Sequence, residues 1–139
     1  MNICKGSIVG VEYPEKINLK TIIPGIELFK VVTVYEDNTA ILTGIEFPKT
    51  KMLNCSFYIP IPITTDILVK GGWVDTGKYC LYRISRDSYI WFCKNSWLVG
   101  LSISTGEDDA ETTLPHITHI HQLQNLILAL TGKEWVIKL

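Results

Sequence analysis

Two groups of side chains have types and spacing suited to chemistry. The first is His116, His119 and His121, spaced HxxHxH. Imidazoles ligate metals and exchange protons near neutral pH. On a regular helix, positions 116 and 119 share a face while 121 points elsewhere. No cysteine lies near in sequence, and no HExxH pattern supplies a carboxylate base. The spacing therefore predicts capping or surface histidines, with no metal centre and no cofactor. The second group is Tyr82, Arg83, Arg86, Tyr89, Trp91 and Lys94. Aromatic rings stack on nucleobases, and Arg or Lys beside them makes charge-assisted contacts to phosphate. The same residue types dominate protein-binding hot spots.

Other clusters read as structure. Glu107, Asp108, Asp109 and Glu111 lack the D-x-D-x-D-G spacing and the closing Glu of a calcium loop. Their mutual repulsion predicts a solvated, mobile loop over residues 104–115. Gly71-Gly72 is not followed by the Lys-Ser/Thr of a phosphate loop and reads as a helix end. There is no GxSxG, Walker A or GxGxxG motif, and no Cys-His nucleophile pattern. The chain is accordingly expected not to be an enzyme. Cys4, Cys55, Cys80 and Cys93 form no CxxC pair and read as buried free thiols.

The elements that must position these groups follow from local pattern. Residues 6–13, 27–35, 39–47 and 52–59 read as strands, with a turn at Glu36-Asp37-Asn38 and a loop at Pro14. Pro60 and Pro62 confine their segment to an edge or an extended connector, because proline donates no N–H. The first sixty residues thus predict a small, strongly twisted sheet or barrel. Thr64 to Asp66 offers N-cap chemistry for a short helix. Residues 78–84, 89–94 and 97–103 predict a three-stranded meander. Two-residue turns at Arg86-Asp87 and Asn95-Ser96 would set Tyr82 opposite Trp91, Cys80 opposite Cys93, and Phe92 opposite Val99. One face would carry Leu81, Ile90, Phe92, Val99 and Leu101; the other Cys80, Tyr82, Tyr89, Trp91, Cys93, Leu98, Gly100 and Ser102, with Gly100 clearing space beside Trp91. That second face is either a binding surface or a surface covered by the N-terminal β unit. Ile117, Ile120, Leu123, Leu126, Ile127 and Leu130 recur as a helical face, with Thr118 as cap and Gly132 as terminator. Glu134 to Leu139 reads as a short strand or an extended tail.

Composition bounds the function classes. The chain has 139 residues, 47% hydrophobic and 19% charged, which excludes a disordered chain. Net charge is −1, and residues 1–70 and 71–139 are each nearly balanced, so duplex nucleic acid is not an expected partner. No apolar window reaches membrane-spanning length, and the segment from Met1 to Gly6 carries no signal-type apolar run. A cytoplasmic protein without a membrane partner is expected. The expected fold class is α+β, with residues 1–63 as a small β-barrel-like subdomain. Residues 64–139 are expected as a helix, three-stranded sheet and amphipathic helix, joined to it as one compact unit.

Two stretches carry a resemblance. Tyr58-Ile59-Pro60-Ile61-Pro62-Ile63-Thr64, leading to Gly72-Trp73, is similar to an HPIPLTEEWLxxFGF run. His121-Gln122-Leu123-Gln124-Asn125-Leu126, continuing to Ala129-Leu130-Thr131-Gly132-Lys133-Glu134, is similar to VHQLQNLYFALTGEEL. The chain departs from the second run with Ile127-Leu128 where Tyr-Phe is usual, and from the family by a longer acidic segment before the helix. Both runs occur in this order in a family of small uncharacterised proteins from bacteriophages and prophages of gut bacteria, which this chain resembles over most of 58–134. The resemblance implies a phage accessory protein that acts by binding inside the host cell. With the aromatic and basic cluster, it leads to an expected counter-defence role. The expected ligand is a cyclic or ADP-ribose-type nucleotide second messenger, sequestered by a homo-oligomer. Tyr82, Tyr89 and Trp91 would stack on the base, while Arg83, Arg86 and Lys94 would meet phosphate. The alternatives are direct inhibition of a host defence protein, with the acidic loop as contact, and a virion structural or assembly role.

Overall fold

β-Branched and aromatic residues suit a half-buried pleated surface, and the runs rich in them become strands in both halves of the chain. The computed structural model describes residues 3–12, 21, 23, 25–104 and 107–137. The ends of the first predicted strand (Tyr13) and of the tail, the Pro14 loop, and residues 105–106 of the acidic segment lie outside them. The chain divides into two compact units, Met1–Ile61 and Pro62–Leu139. Among the described residues, no helix is long and apolar enough to cross a membrane.

In the first unit, β1 (Ile8–Glu12), β2 (Ile26–Val34), β3 (Thr39–Gly44) and β4 (Thr50–Asn54) form an antiparallel sheet in sequence order. The β2–β3 turn works as read: Asn38 takes a left-handed φ of 67°, and the Asp37 carboxylate accepts from Thr39 N at 3.0 Å. Val9, Val11, Phe29, Val31, Ala40, Leu42 and Tyr58 make the core on one face. The barrel-like expectation is corrected: β1 and β4 do not pair among the described residues, so the sheet stays open. Ile59, just before the two prolines, bridges to Gly10 by two backbone hydrogen bonds of 2.8 and 2.9 Å. The proline segment itself is an extended connector.

The second unit opens with α1 (Thr65–Lys70), where Thr64 Oγ1 accepts from Ile67 N at 3.3 Å. The chain then forms β5 (Val74–Asp75), β6 (Tyr79–Ser85), β7 (Ser88–Cys93), β8 (Leu98–Ser104) and β9 (Asp109–Thr113), an antiparallel meander in sequence order. Five strands replace the three expected. The segment read as a mobile acidic loop is in part an edge strand, because β8 would otherwise leave a row of backbone groups unpaired. Pairs such as Leu101 with Thr112 and Ile103 with Ala110 satisfy that row.

α2 (Ile120–Thr131) begins one residue later than read, with His119 at the N-cap. Gln122 Oε1 folds back to accept from Thr118 N at 2.8 Å and His119 N at 3.0 Å. Gly132 ends the helix with a φ of 71°. α2 lies against β6, with Ile120, Leu123 and Ile127 fully buried. Beyond it, residues 133–137 form no helix or strand. Trp135 Nε1 donates to the carbonyl of Gly71 at 2.7 Å, and its ring joins Trp73 and Tyr82 at centroid distances of 5.8 and 6.3 Å.

Register decides which side chains share a face. The β7–β8 pairing matches the reading, with Phe92 opposite Val99 and Trp91 opposite Gly100. The β6–β7 pairing does not. The Arg86-Asp87 turn pairs Ser85 with Ser88, but Ile84 is then an extra, unpaired residue. Beyond this bulge Arg83 faces Tyr89, Leu81 faces Trp91 and Cys80 faces Phe92. Cys80 therefore does not oppose Cys93; both are buried as read, whereas Cys4 is exposed and Cys55 only half-buried. Leu81 and the pair Cys80 and Tyr82 exchange the faces expected for them.

Gly100 lies under the Trp91 indole, and a Cβ there would collide with the ring. Gly100→Ala should lower stability by about 1–3 kcal/mol through overpacking, measured by urea unfolding. An unchanged midpoint would mean that the indole moves freely.

Candidate functional site

Side chains alternate across a strand, so the face of the second sheet that carries Trp91 can be read in rows. One row runs Arg83, Tyr89, Ser102, Glu111 across β6 to β9. The next runs Val74, Leu81, Trp91, Gly100, Thr113 across all five strands. The first row opens into a cleft of 560 Å³ whose lining also includes Arg86, Asp87, Ser104 and Asp109. A smaller recess of 210 Å³ adjoins it, bounded by Thr76, Tyr79, Leu81, Tyr89, Trp91 and Glu111. Tyr89 and Glu111 line both.

The cleft mixes charges. Two guanidiniums and the carboxylates of Asp87, Asp109 and Glu111 line one opening. Among the described residues, no ion pair within 4.0 Å ties Arg83 or Arg86 to any of these acids. Both signs therefore remain available to a ligand. Tyr89 is 37% exposed, whereas Trp91 is 8% exposed, set edge-on to Tyr79 with centroids 5.8 Å apart.

The six residues singled out from sequence are divided. Arg83, Arg86 and Tyr89 come together in the cleft, and Trp91 walls the neighbouring recess. Tyr82 lies on the opposite face, 5.4 Å from Trp73 by ring centroid; the Ile84 bulge moves it there. Lys94 lies apart, its ammonium 2.6 Å from Asp75. That hydrogen bond, with one from Gly77 N, holds the Asp75 carboxyl below its usual range. The residues missed are Asp109, Glu111, Ser102 and Tyr79. Asp109 and Glu111 were legible in principle, since their alternation in Asp-Ala-Glu-Thr-Thr puts both carboxylates on one strand face.

The histidines separate as well. His116 is exposed, His119 caps α2, and His121 is buried with Nδ1 lacking a hydrogen-bond partner. Among the described residues, no three His, Cys, Asp or Glu converge as a metal ion would require. Two cysteines shift in opposite senses: burial raises the Cys80 thiol, while hydrogen bonds from Ser96 lower that of Cys93. No protein-family model, curated protein or solved structure matches the chain.

Burial, with His119 nearby, lowers the His121 pKa below its ordinary 6.5. The unfolded chain then takes up this proton before the folded one does. Stability should be full above pH ~6.5 and fall as pH drops through the depressed folded value. Urea midpoints at pH 7.5 and 5.5 test this. His121→Gln should flatten the difference; an equal loss in both proteins would assign the titration elsewhere.

Proposed function

We propose that this chain is a non-enzymatic binding protein that sequesters a nucleotide second messenger in the cleft on β6 to β9. The observation that carries the reading is the make-up of that cleft: unpaired guanidiniums, an exposed tyrosine ring and strand-borne carboxylates line one opening. A simple anion would meet the acids, and a simple cation the arginines. A nucleotide answers all three groups. Its phosphate suits Arg83 and Arg86, its base suits the Tyr89 ring, and its hydroxyl or amine donors suit Asp109 and Glu111. The volume falls within the range of small-molecule sites, about 300–1,000 Å³.

The likeness of residues 58–134 to phage and prophage proteins supports a counter-defence setting in the host cytoplasm. There the ligand would be a cyclic or ADP-ribose-type nucleotide. The cleft is an open surface feature, so a second copy of the chain closing over it suits tight retention. A direct block of a host defence protein is the second reading. It is favoured by β9, an edge strand whose five residues are all exposed.

Native mass spectrometry with a panel of cyclic oligonucleotides and ADP-ribose derivatives tests the first reading. A nucleotide adduct at fixed stoichiometry, on an oligomer, is expected. Tyr89→Ala should weaken binding by about 1–3 kcal/mol by loss of stacking, and Arg83→Ala with Arg86→Ala should weaken it further. Tyr89 is the better probe than Trp91, whose packing on Gly100 makes its truncation a folding defect. Glu107→Lys with Asp108→Lys lies outside the cleft lining and should leave nucleotide binding intact. A clean spectrum, with host-protein capture lost on that reversal, would favour the second reading.

A further inference from the structure

In an antiparallel pair, every second residue turns its N–H and C=O toward the neighbouring strand, and the residues between turn theirs away. Leu114 N donates to the Val99 carbonyl at 2.8 Å, which sets the phase for β9. Two-residue steps along the register then turn the backbone of Thr112 and Ala110 toward Leu101 and Ile103 of β8. The backbone groups of Asp109, Glu111 and Thr113 point outward, and among the described residues nothing pairs with them. All five residues of β9 are exposed. Such an edge can take an extended peptide as its next strand, held by main-chain hydrogen bonds. The side chains decide which peptide. Asp109 and Glu111 stand on the cleft face. The opposite face carries Ala110 beside Ile103, which is 40% exposed.

An added strand sets its side chains opposite those of β9, on the same faces, and opposite charges at facing positions attract. Positions facing Glu111 and Asp109 therefore favour Lys or Arg. No ion pair within 4.0 Å ties either carboxylate to Arg83 or Arg86, so both charges are open to a partner. The position between them faces Ala110, whose small side chain lets an apolar one reach toward Ile103. We infer that the β9 edge takes an extended protein segment with Lys or Arg at i and i+2 and an apolar residue between them, paired antiparallel. A second copy of β9 fits worse, since it brings the same acids. The acids make no site by themselves; they select among the strands that the free backbone could take. This goes beyond the nucleotide reading and needs nothing in the cleft. It gives the second reading, a direct block of a host protein, its contact chemistry.

The test is fluorescence anisotropy of the full chain with the labelled peptide Thr-Val-Lys-Val-Lys, which sets its lysines opposite Glu111 and Asp109. Replacing both lysines by Glu should weaken binding about tenfold. A methyl on the amide of the first Lys, which points at β9, should also weaken it about tenfold. A methyl on the Val between the lysines, whose N–H points away, should leave it unchanged. Thr113→Pro removes an outward donor without breaking a β8–β9 bond and should weaken the peptide about tenfold. Asp109→Lys with Glu111→Lys should reverse the preference, toward the Glu peptide. Circular dichroism checks that each variant folds. In wild-type protein, amide exchange at Asp109, Glu111 and Thr113 should slow when the peptide is added. Equal binding of the Lys and Glu peptides, equal loss from the two methylations, or no slowing of those amides overturns the proposal. No binding of any peptide overturns it too, and leaves the nucleotide reading to the native spectra. Host-protein capture kept by Thr113→Pro but lost with Glu107→Lys and Asp108→Lys would keep the direct block and overturn the edge as its contact.

Discussion

A strand that carries one residue more than its partner sends every side chain beyond that residue to the other face of the sheet. In β6 the extra residue is Ile84. It sits one position from the Arg86-Asp87 turn, so nearly the whole strand is affected. Tyr82 goes to the face that holds Trp73 and Trp135. Leu81 goes to the face that holds Trp91. Arg83 comes to lie opposite Tyr89, in one cross-strand row with Ser102 and Glu111. Without the bulge, that row would place Ile84 where Arg83 now stands.

The two faces of this sheet are then fixed by different means. On one, the C-terminal tail returns across the sequence so that Trp135 can donate to the Gly71 carbonyl, at the end of α1. Tyr82 stacks into that arrangement and is committed to it. On the other, Trp91 rests on a glycine and is rigid, while Tyr89 keeps an exposed ring. A rigid wall beside an accessible ring suits a site whose shape exists before the ligand arrives, which reduces the ordering cost of binding.

Much of this was legible from sequence. Thr64 and Gly132 bound their helices as their chemistry dictates, and the Asp37-Asn38 turn and the β7–β8 register follow from local rules. The bulge was not legible, for a physical reason. Tyr79 to Tyr82 and Tyr89 to Cys93 are apolar at consecutive positions, so no alternation distinguishes one register from the next. The same turn closes both. β9 was hidden by its charge: a run of acids reads as repulsive until the free edge of β8 is there to receive it. The contact of Trp135 with Gly71 joins residues 64 positions apart, and no local pattern announces it. Of the site, the arginines and Tyr89 were visible by type, whereas Asp109 and Glu111, though visible as acids, read as a solvated loop and not as a strand face lining the same cleft.

Among the described residues, β9 closes the meander with one side of its backbone unpaired. An open edge invites another strand to add to it, and charged side chains along the edge are a common guard against such growth into aggregates. Asp109 and Glu111 stand on that edge and also line the cleft. On the nucleotide-binding reading proposed above, the same two charges would guard the edge and choose the ligand together. Replacing them with neutral residues would make the cleft more welcoming to anions and the edge more adhesive at once. Selection on this strand therefore cannot adjust one property without moving the other.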